Sequence, residues 1–185
     1  MIQSKNPSAI RSQKEITEAL IALMHEYPYD EISVKQILLE SKLARKTFYR
    51  NFDSKDDVLI SLIRSVIRDY FSVVDSGRAD VLTTIFEFAV RNKELLGLLD
   101  ENGMLHIVLQ CMNENLTIHK SGSVSVTNPF ICLFEDLDSE YLIALNTGAV
   151  WNVISLWVHQ GMKEDPEHVK ETIRQYLKRM AGQIR

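Results

Sequence analysis

The sequence contains few of the residues that interrupt helices. Its 185 residues include only four prolines and seven glycines, most of them between runs in which apolar residues recur every three or four positions. Inside a helix, proline removes a hydrogen-bond donor and glycine costs backbone entropy. The pattern therefore predicts an all-α fold with long helices rather than a sheet-rich fold.

Cysteine is equally scarce, and the usual catalytic and metal-binding motifs are missing. Cys111 and Cys132 are the only cysteines, and their apolar surroundings favour buried reduced thiols. The sequence has no His-x-x-x-His or Cys-x-x-Cys pair, glycine-rich phosphate loop or nucleophile elbow. We therefore expect no enzyme, no metal and no cofactor. The amino terminus lacks an apolar run of signal-peptide length, so we expect a cytoplasmic protein.

Charge is unevenly distributed along a chain whose net charge is −4. Residues 1–55 carry nine Lys or Arg against seven Asp or Glu, whereas residues 56–185 carry twelve against eighteen. The stretch SKLARKTFYRNFDSK, residues 41–55, alone holds five cationic residues, one acidic residue and three aromatics. This distribution predicts that only one end of the protein meets a polyanion.

The basic stretch belongs to a group of three predicted helices. Asn6-Pro7 starts the first helix, which ends before Pro28. Its apolar stripe comprises Ile16, Ala19, Leu20, Leu23, Met24 and Tyr27. A capping box of Ser33 and Gln36 starts a short helix over 34–41, and another short helix follows a tight turn. Two short helices packed on a longer one form a helix-turn-helix.

The remainder of the sequence also has helical periodicity. The predicted helices extend from residue 55 to about 75, lie within 80–92, 93–103 and 104–116, and then cover 139–160 and 166–181. Residues 117–129 are predicted to form a loop, followed by a short turn at 130–137. We therefore divide the chain into a helix-turn-helix DNA-binding domain, residues 1–54, and a larger helical domain, residues 55–185.

The second short helix has two unlike faces. On a helical wheel Phe48 and Phe52 point inward, whereas Lys46, Thr47 and Arg50 lie on the opposite face. Cationic and hydroxyl side chains on one helix face suit the major groove of DNA. A basic amphipathic helix can also be no more than a solvated surface, and this alternative stays open.

The run ISVKQILLESKLARKTFYRNFDSKDDVL resembles the DNA-binding region of the TetR family of bacterial transcription regulators. The matching positions are Ser33, Phe48, Tyr49, Phe52, Ser54, Lys55, Asp57 and Leu59. This resemblance covers about residues 8–70. The segment NTGAVWNVISLWVHQGMKEDPEHV is similar to the closing helices of the subgroup that contains the dihydroxyacetone-kinase regulators.

The resemblance implies a role for each polar residue of this region. It implies that Ser33, Tyr49 and Lys55 contact DNA phosphates, with Arg50 as a further candidate. It implies that Arg45, Lys46 and Thr47 contact the edges of the bases. Two positions depart from the family pattern. Lys42 replaces the turn glycine, so it must adopt a conformation that is costly for other residues, although it adds a cation near phosphate. Ala44 replaces a capping Ser or Thr, a loss of about 1 kcal/mol of helix stability.

A helix-turn-helix of this size needs a second copy, because such modules bind half-sites about 34 Å apart. The predicted helix 139–160 is apolar nearly all round, as expected for a helix buried on two sides. Its polar residues Asn146 and Asn152 argue against a membrane span. The resemblance implies a homodimer with a core of four helices. The candidate interface residues are Ala144, Gly148, Asn152, Ser155, Ile173 and Leu177.

The family's middle helices commonly enclose a ligand, and the resemblance implies such a site here. The candidates are Phe86, Phe88, His106, Met112, Phe130, Tyr141 and Trp151. Few charged residues fall within these apolar runs, so we expect a small apolar or weakly polar effector. Each candidate can equally be an ordinary core residue.

Taken together, these patterns predict a homodimeric repressor that binds a palindromic DNA operator. An effector is expected to tilt the helix 55–75 and so release the DNA. One alternative is a regulator or coactivator that responds to a protein partner. A second is a helical interaction protein without specific DNA binding.

Overall fold

The computed structural model describes residues 6–76, 80–118 and 139–183. Within these ranges the chain forms α-helices and one 3-10 turn, with no β-strand. The predicted all-α fold is therefore confirmed. The chain divides into two compact units, Met1–Ser65 and Val66–Arg185. No helix in the described ranges is long and apolar enough to cross a membrane.

The first unit contains three complete helices and the start of a fourth. The order is α1 (Pro7–Glu26), a 3-10 turn (Tyr29–Glu31), α2 (Val34–Ser41), α3 (Arg45–Asn51) and the first part of α4 (Lys55–Asp75). Helix α1 packs against α2 and α3. The core of this unit includes the fully buried residues Ile16, Leu20, Ile37, Phe48, Leu59 and Ile63.

Local signals set the helix boundaries of this unit. The Asn6 side chain accepts a hydrogen bond from the Ser8 amide at 3.0 Å, and Pro7 occupies the first turn of α1. At α2, the Ser33 amide donates to Gln36 Oε1 at 2.9 Å, while the Gln36 amide donates to Ser33 Oγ at 3.3 Å. This reciprocal pair is the predicted capping box, and it is confirmed.

One residue of the predicted α1 stripe is misplaced. Tyr27 is 42% exposed, whereas the five residues predicted to share its face are buried. Tyr27 is the residue after the helix, and its extended backbone (φ −132°, ψ 145°) removes it from the helical periodicity. The prediction failed because the pattern was continued one residue beyond the helix end.

The second unit contains the rest of α4 and five further helices. These are α5 (Val81–Arg91), α6 (Lys93–Glu101), α7 (His106–Ile118), α8 (Ser139–His159) and α9 (Pro166–Gln183). Helices α6 and α7 contact α8, and α5 contacts α6 and α9. The predicted loop began too early, because Thr117 and Ile118 belong to α7. The rest of the predicted loop and turn, and Cys132, lie outside the described residues. Cys111 is buried, as predicted.

The connection between α8 and α9 follows the sequence prediction. Gly161 has φ +75°, a left-handed conformation that glycine adopts readily. The Gly161 amide donates to the Val158 carbonyl, and the Met162 amide donates to the Trp157 carbonyl, both at 2.8 Å. These bonds satisfy carbonyls at the end of α8, as in a Schellman motif. Trp157 Nε1 also donates to the Glu164 carbonyl at 3.0 Å.

Candidate DNA-binding surface

The turn before α3 contains both predicted departures from the family pattern. Lys42 ends α2 in the left-handed conformation, with φ 56° and ψ 28°. Ala44 is the N-cap of α3 and provides no side-chain hydrogen bond. The first turn of α3 is closed by backbone bonds, including that from the Thr47 amide to the Ala44 carbonyl at 2.8 Å. The turn therefore forms without either preferred residue.

Helix α3 is held by three buried side chains. Phe48 is fully buried and Phe52 is 4% exposed, and their ring centroids lie 6.2 Å apart. Asn51 is also buried, and its Nδ2 donates to the Thr47 carbonyl at 2.7 Å. The two aromatic positions were predicted from the helical wheel. Asn51 was missed because a polar residue in a basic stretch gives no sign of burial.

The predicted DNA-contacting residues of α3 lie outside its buried side, and we call them the α3 face. These residues are Arg45, Lys46, Thr47, Tyr49 and Arg50. All are exposed except Thr47, which is half-buried. Arg45 Cζ lies 5.4 Å from the centroid of the Tyr49 ring, within the range of a cation–π contact. The α3 face thus offers three cations, a hydroxyl and a phenol on one short helix.

Two further candidates lie on or beside α2, at its opposite ends. Ser33 is exposed at the start of α2, where its hydroxyl donates to Gln36 Oε1 at 2.6 Å. The Lys42 side chain is exposed in the turn that leads to α3. Helix starts and nearby cations are both common phosphate contacts in protein–DNA complexes.

Lys55 differs from the other cationic candidates. Its Nζ donates to the Tyr29 carbonyl at 2.7 Å and to the Asp30 carbonyl at 3.2 Å. The same atom lies 4.4 Å from the centroid of the Tyr29 ring. Sequence reasoning missed Tyr29, because its partners are more than 20 residues away along the chain.

The candidate effector residues are distributed among different environments. Phe86, Met112 and Trp151 are core residues of the second unit, exposed by 1%, 3% and 3%. Tyr141 is 78% exposed, and Phe130 lies outside the described residues. Phe88 is buried and borders a small pocket of about 60 Å³ between α4 and α5.

His106 is an effector candidate on an open surface of α7. It is exposed, and its Nδ1 lies 3.2 Å from the Gly103 carbonyl oxygen. The residues along this open surface are His106, Leu109, Gln110, Asn113 and Glu114. All five belong to α7, so they line one side of a single helix and not an enclosed cavity.

The candidate dimer residues of α8 are accessible to different degrees. Ala144 and Asn152 are exposed, and Gly148 and Ser155 are half-buried. A Cβ atom added to Gly148 would meet no atom of the described residues within 4 Å. On α9, Ile173 is buried and Leu177 is half-buried.

Large apolar side chains are also exposed on α8 and α9. The exposed fractions are 78% for Tyr141, 63% for Leu145, 57% for Leu156 and 61% for Tyr176. The three residues of α8 share one side of that helix, and we call them the apolar face. Sequence reasoning missed this surface. Because α8 is apolar on all sides, its sequence pattern does not indicate which side is exposed.

Comparison with known proteins agrees with the helix-turn-helix geometry. Residues 16–62 match the family of bacterial regulatory proteins called tetR. Residues 16–62, about a quarter of the chain, therefore resemble the helix-turn-helix region of this family. The match covers α1 from Ile16 onward, both short helices and the start of α4. The resemblance predicted from the sequence is thereby confirmed.

Over nearly the whole chain the fold is that of known regulators. The fatty acid degradation regulator FadR from Bacillus halodurans is similar with a TM-score of 0.61 and 20% identity, covering 95% of this chain and 96% of that one. The dihydroxyacetone kinase operon activator DhaS gives a TM-score of 0.52 and 19% identity, covering 94% and 97%. No curated protein matches the sequence significantly. A TetR-like helix-turn-helix region is therefore followed by a larger helical domain, in a fold similar to those of FadR and DhaS.

Proposed function

We propose that the protein is a transcriptional repressor that binds a palindromic operator as a homodimer and leaves it when an effector binds. The observation that best supports this proposal is the exposed, cationic α3 face. Buried Phe48 and Phe52 fix one side of α3, so its cationic side is presented to solvent within a domain that matches the TetR family. Residues 1–54 would bind DNA, and residues 55–185 would bind the effector and the second copy.

The contacts with DNA follow from the chemistry of each side chain. Arg45 and Lys46 can donate to acceptors on guanine, and Thr47 can contact either base type. Ser33, Lys42, Tyr49 and Arg50 would bind phosphates, which fix the position of the helix without reading the sequence. Lys55 stands apart, because its ammonium group already has two carbonyl partners in the domain.

Dimer formation would use the apolar face and the small residues beside it. Exposed apolar patches on soluble proteins commonly mark interaction sites. Gly148 and Ala144 would allow a partner helix to approach closely. A two-fold dimer would place two recognition helices about 34 Å apart, which suits a palindromic operator.

Release by an effector would require a two-state change of the protein. We propose that an apolar or weakly polar molecule binds among the helices of the second unit and shifts α4. To move the equilibrium from 1:99 to 99:1, the effector must prefer one state by about 5.5 kcal/mol. The similar protein FadR is a regulator of fatty acid degradation, and this role is consistent with an apolar effector.

A second candidate function is activation controlled by a protein partner. The likeness to DhaS, which is described as an operon activator, favours this alternative. Three of the predicted effector residues, Phe86, Met112 and Trp151, are packed in the core and do not require a ligand. Co-elution of the protein with a kinase-like subunit, without binding of any small molecule, would favour this alternative.

The deciding experiment is a selection of genomic DNA fragments by the purified protein. A Lys46→Ala/Tyr49→Ala variant serves as the control, since both side chains lie on the α3 face. Enrichment of a palindrome by the native protein alone would support the proposed function. DNA affinity that does not fall with salt, or that survives both substitutions, would favour an interaction protein without specific DNA binding.

A further inference from the structure

Tyr29, Lys55 and Asp56 form a cluster that we call the Tyr29 clasp. The Tyr29 hydroxyl donates to Asp56 Oδ1 at 2.5 Å, and Lys55 Nζ donates to the Tyr29 carbonyl at 2.7 Å. The ammonium of Lys55 also faces the Tyr29 ring at 4.4 Å. Two consecutive residues of α4 are thus bound to one residue of the 3-10 turn.

The clasp uses most of the donor capacity of Lys55. An ammonium group has three N–H donors. Two of them point to the carbonyls of Tyr29 and Asp30, which leaves at most one for a phosphate. The adjacent backbone is also occupied, because the Asp57 amide donates to Ser54 Oγ at 3.1 Å.

Tyr29 itself is held firmly and does not face solvent. Its side chain is 5% exposed. Burial raises the pKa of Tyr29, and the hydrogen bond to Asp56 raises it further, so the phenol remains a donor over the physiological pH range. The Tyr29 phenol thus satisfies the Asp56 carboxylate, while the Tyr29 and Asp30 carbonyls accept from the Lys55 ammonium.

The Tyr29 clasp lies at both ends of the segment that contains α3. The segment between Tyr29 and Lys55 contains α2, the Lys42 turn and α3. The clasp therefore joins the two ends of the segment that forms the helix-turn-helix. Closing a segment at its ends reduces the conformations available to it.

We propose that Lys55 is a positioning residue, which together with Tyr29 and Asp56 closes the helix-turn-helix segment, and that it is not a phosphate ligand. The inference rests on the proposed function, because it concerns how the DNA-binding surface is held. Loss of the clasp would weaken DNA binding through a less ordered α3, with the number of phosphate contacts unchanged.

The salt dependence of binding separates the two roles of a lysine. Each phosphate contact contributes about 0.9 to the slope of log affinity against log salt concentration on duplex DNA. We expect Lys55→Met to weaken binding about tenfold, as for loss of charge-assisted bonds, with the slope unchanged. Lys42→Met is the matched control, since Lys42 is exposed, and it should reduce the slope by about 0.9 for each protomer.

Tyr29→Phe tests the clasp without removing a charge. This buried residue cannot reach DNA, so we expect weaker binding by several-fold at an unchanged slope. The double variant Tyr29→Phe/Lys55→Met should bind about as weakly as Lys55→Met alone, because both changes open the same cluster.

A stability control distinguishes positioning from general damage to the domain. Ile16→Val removes one methyl group from a fully buried α1 residue and should lower Tm by a few degrees. Binding is measured at a temperature at which all variants are folded by circular dichroism. Ile16→Val should then bind DNA like the native protein, whereas Tyr29→Phe should not.

The duplex is a fragment recovered in the genomic selection, titrated between about 50 and 200 mM salt. A slope change for Lys55→Met equal to that for Lys42→Met would make Lys55 a phosphate ligand and overturn the inference alone. Equal losses of affinity for Ile16→Val and Tyr29→Phe would also overturn it. Failure of the native protein to bind any duplex would overturn the proposed function and this inference together.

Discussion

The α3 face and the apolar face are both exposed, but they differ in chemistry and in what supports them. The α3 face carries Arg45, Lys46 and Arg50 on a helix whose other side is anchored by Phe48 and Phe52. The apolar face consists of large side chains that a single chain leaves in water. A polar surface is stable in water before its partner arrives, whereas an apolar one favours a permanent partner.

The largest effect is expected from removing the anchor of the α3 face. Phe48→Ala deletes a fully buried ring and should lower the free energy of unfolding by about 3–5 kcal/mol, with loss of DNA binding. Denaturant unfolding measures this change. Tyr49→Ala is the control, since Tyr49 is 46% exposed. This substitution should weaken DNA binding with little change in the free energy of unfolding. Equal stability of the Phe48 variant and the native protein would contradict the packing of α3.

A charge on the apolar face should act on assembly rather than on the protomer. Leu145 is 63% exposed, so Leu145→Glu should change protomer stability by less than about 0.5 kcal/mol. In the proposed dimer this carboxylate would be buried at far greater cost, and that dimer should dissociate at least about a hundredfold more readily. Sedimentation equilibrium measures the change. Leu39→Glu, at a residue 69% exposed in the first unit, should leave the assembly unchanged.

A single added hydroxyl at the N-cap of α3 should stabilise the helix that carries the α3 face. Ala44 has the extended backbone of an N-cap but no side-chain acceptor. Ala44→Ser should add that acceptor and stabilise the protein by about 1 kcal/mol. Thermal unfolding of the variant beside the native protein tests this. A lower Tm would mean that the α3 amides are already satisfied by other groups.

The smallest expected effect comes from replacing a left-handed residue with glycine, which can be done once in each unit. Lys42 and Met162 both have left-handed backbones, with φ 56° and φ 54°. Replacing either residue with glycine should stabilise the protein by about 0.5 kcal/mol, because glycine adopts this conformation without strain. Only Lys42→Gly should weaken DNA binding. A similar loss of DNA affinity for Met162→Gly would show that the binding effect does not come from the lysine charge.

The features that the sequence predicted correctly depend on residues close together in the chain. The Asn6 cap, the Ser33–Gln36 box and the Gly161 helix stop each involve residues within a few positions. The family resemblance extended this success to the fold and to the helix-turn-helix. The same local signals placed Phe48 and Phe52 in the core.

What the sequence did not reveal depends on contacts between distant residues. Tyr29 and Asp56 are 27 positions apart, and no periodic pattern relates them. The effector candidates were selected for size and aromatic character, which do not distinguish a core residue from a pocket residue. Phe86 and Tyr141 show the difference, since the first is 1% and the second 78% exposed. Burial depends on the tertiary arrangement, which a single helix pattern does not contain.

The two tryptophans give the protein a built-in optical label. Trp151 and Trp157 are the only tryptophans in the sequence, and both are buried on α8 of the second unit. Intrinsic tryptophan emission therefore reports on the second unit alone, and the DNA-binding domain contributes no tryptophan signal. An effector that binds near α8 can be followed by emission without any dye, while DNA can be followed independently from its own fluorophore.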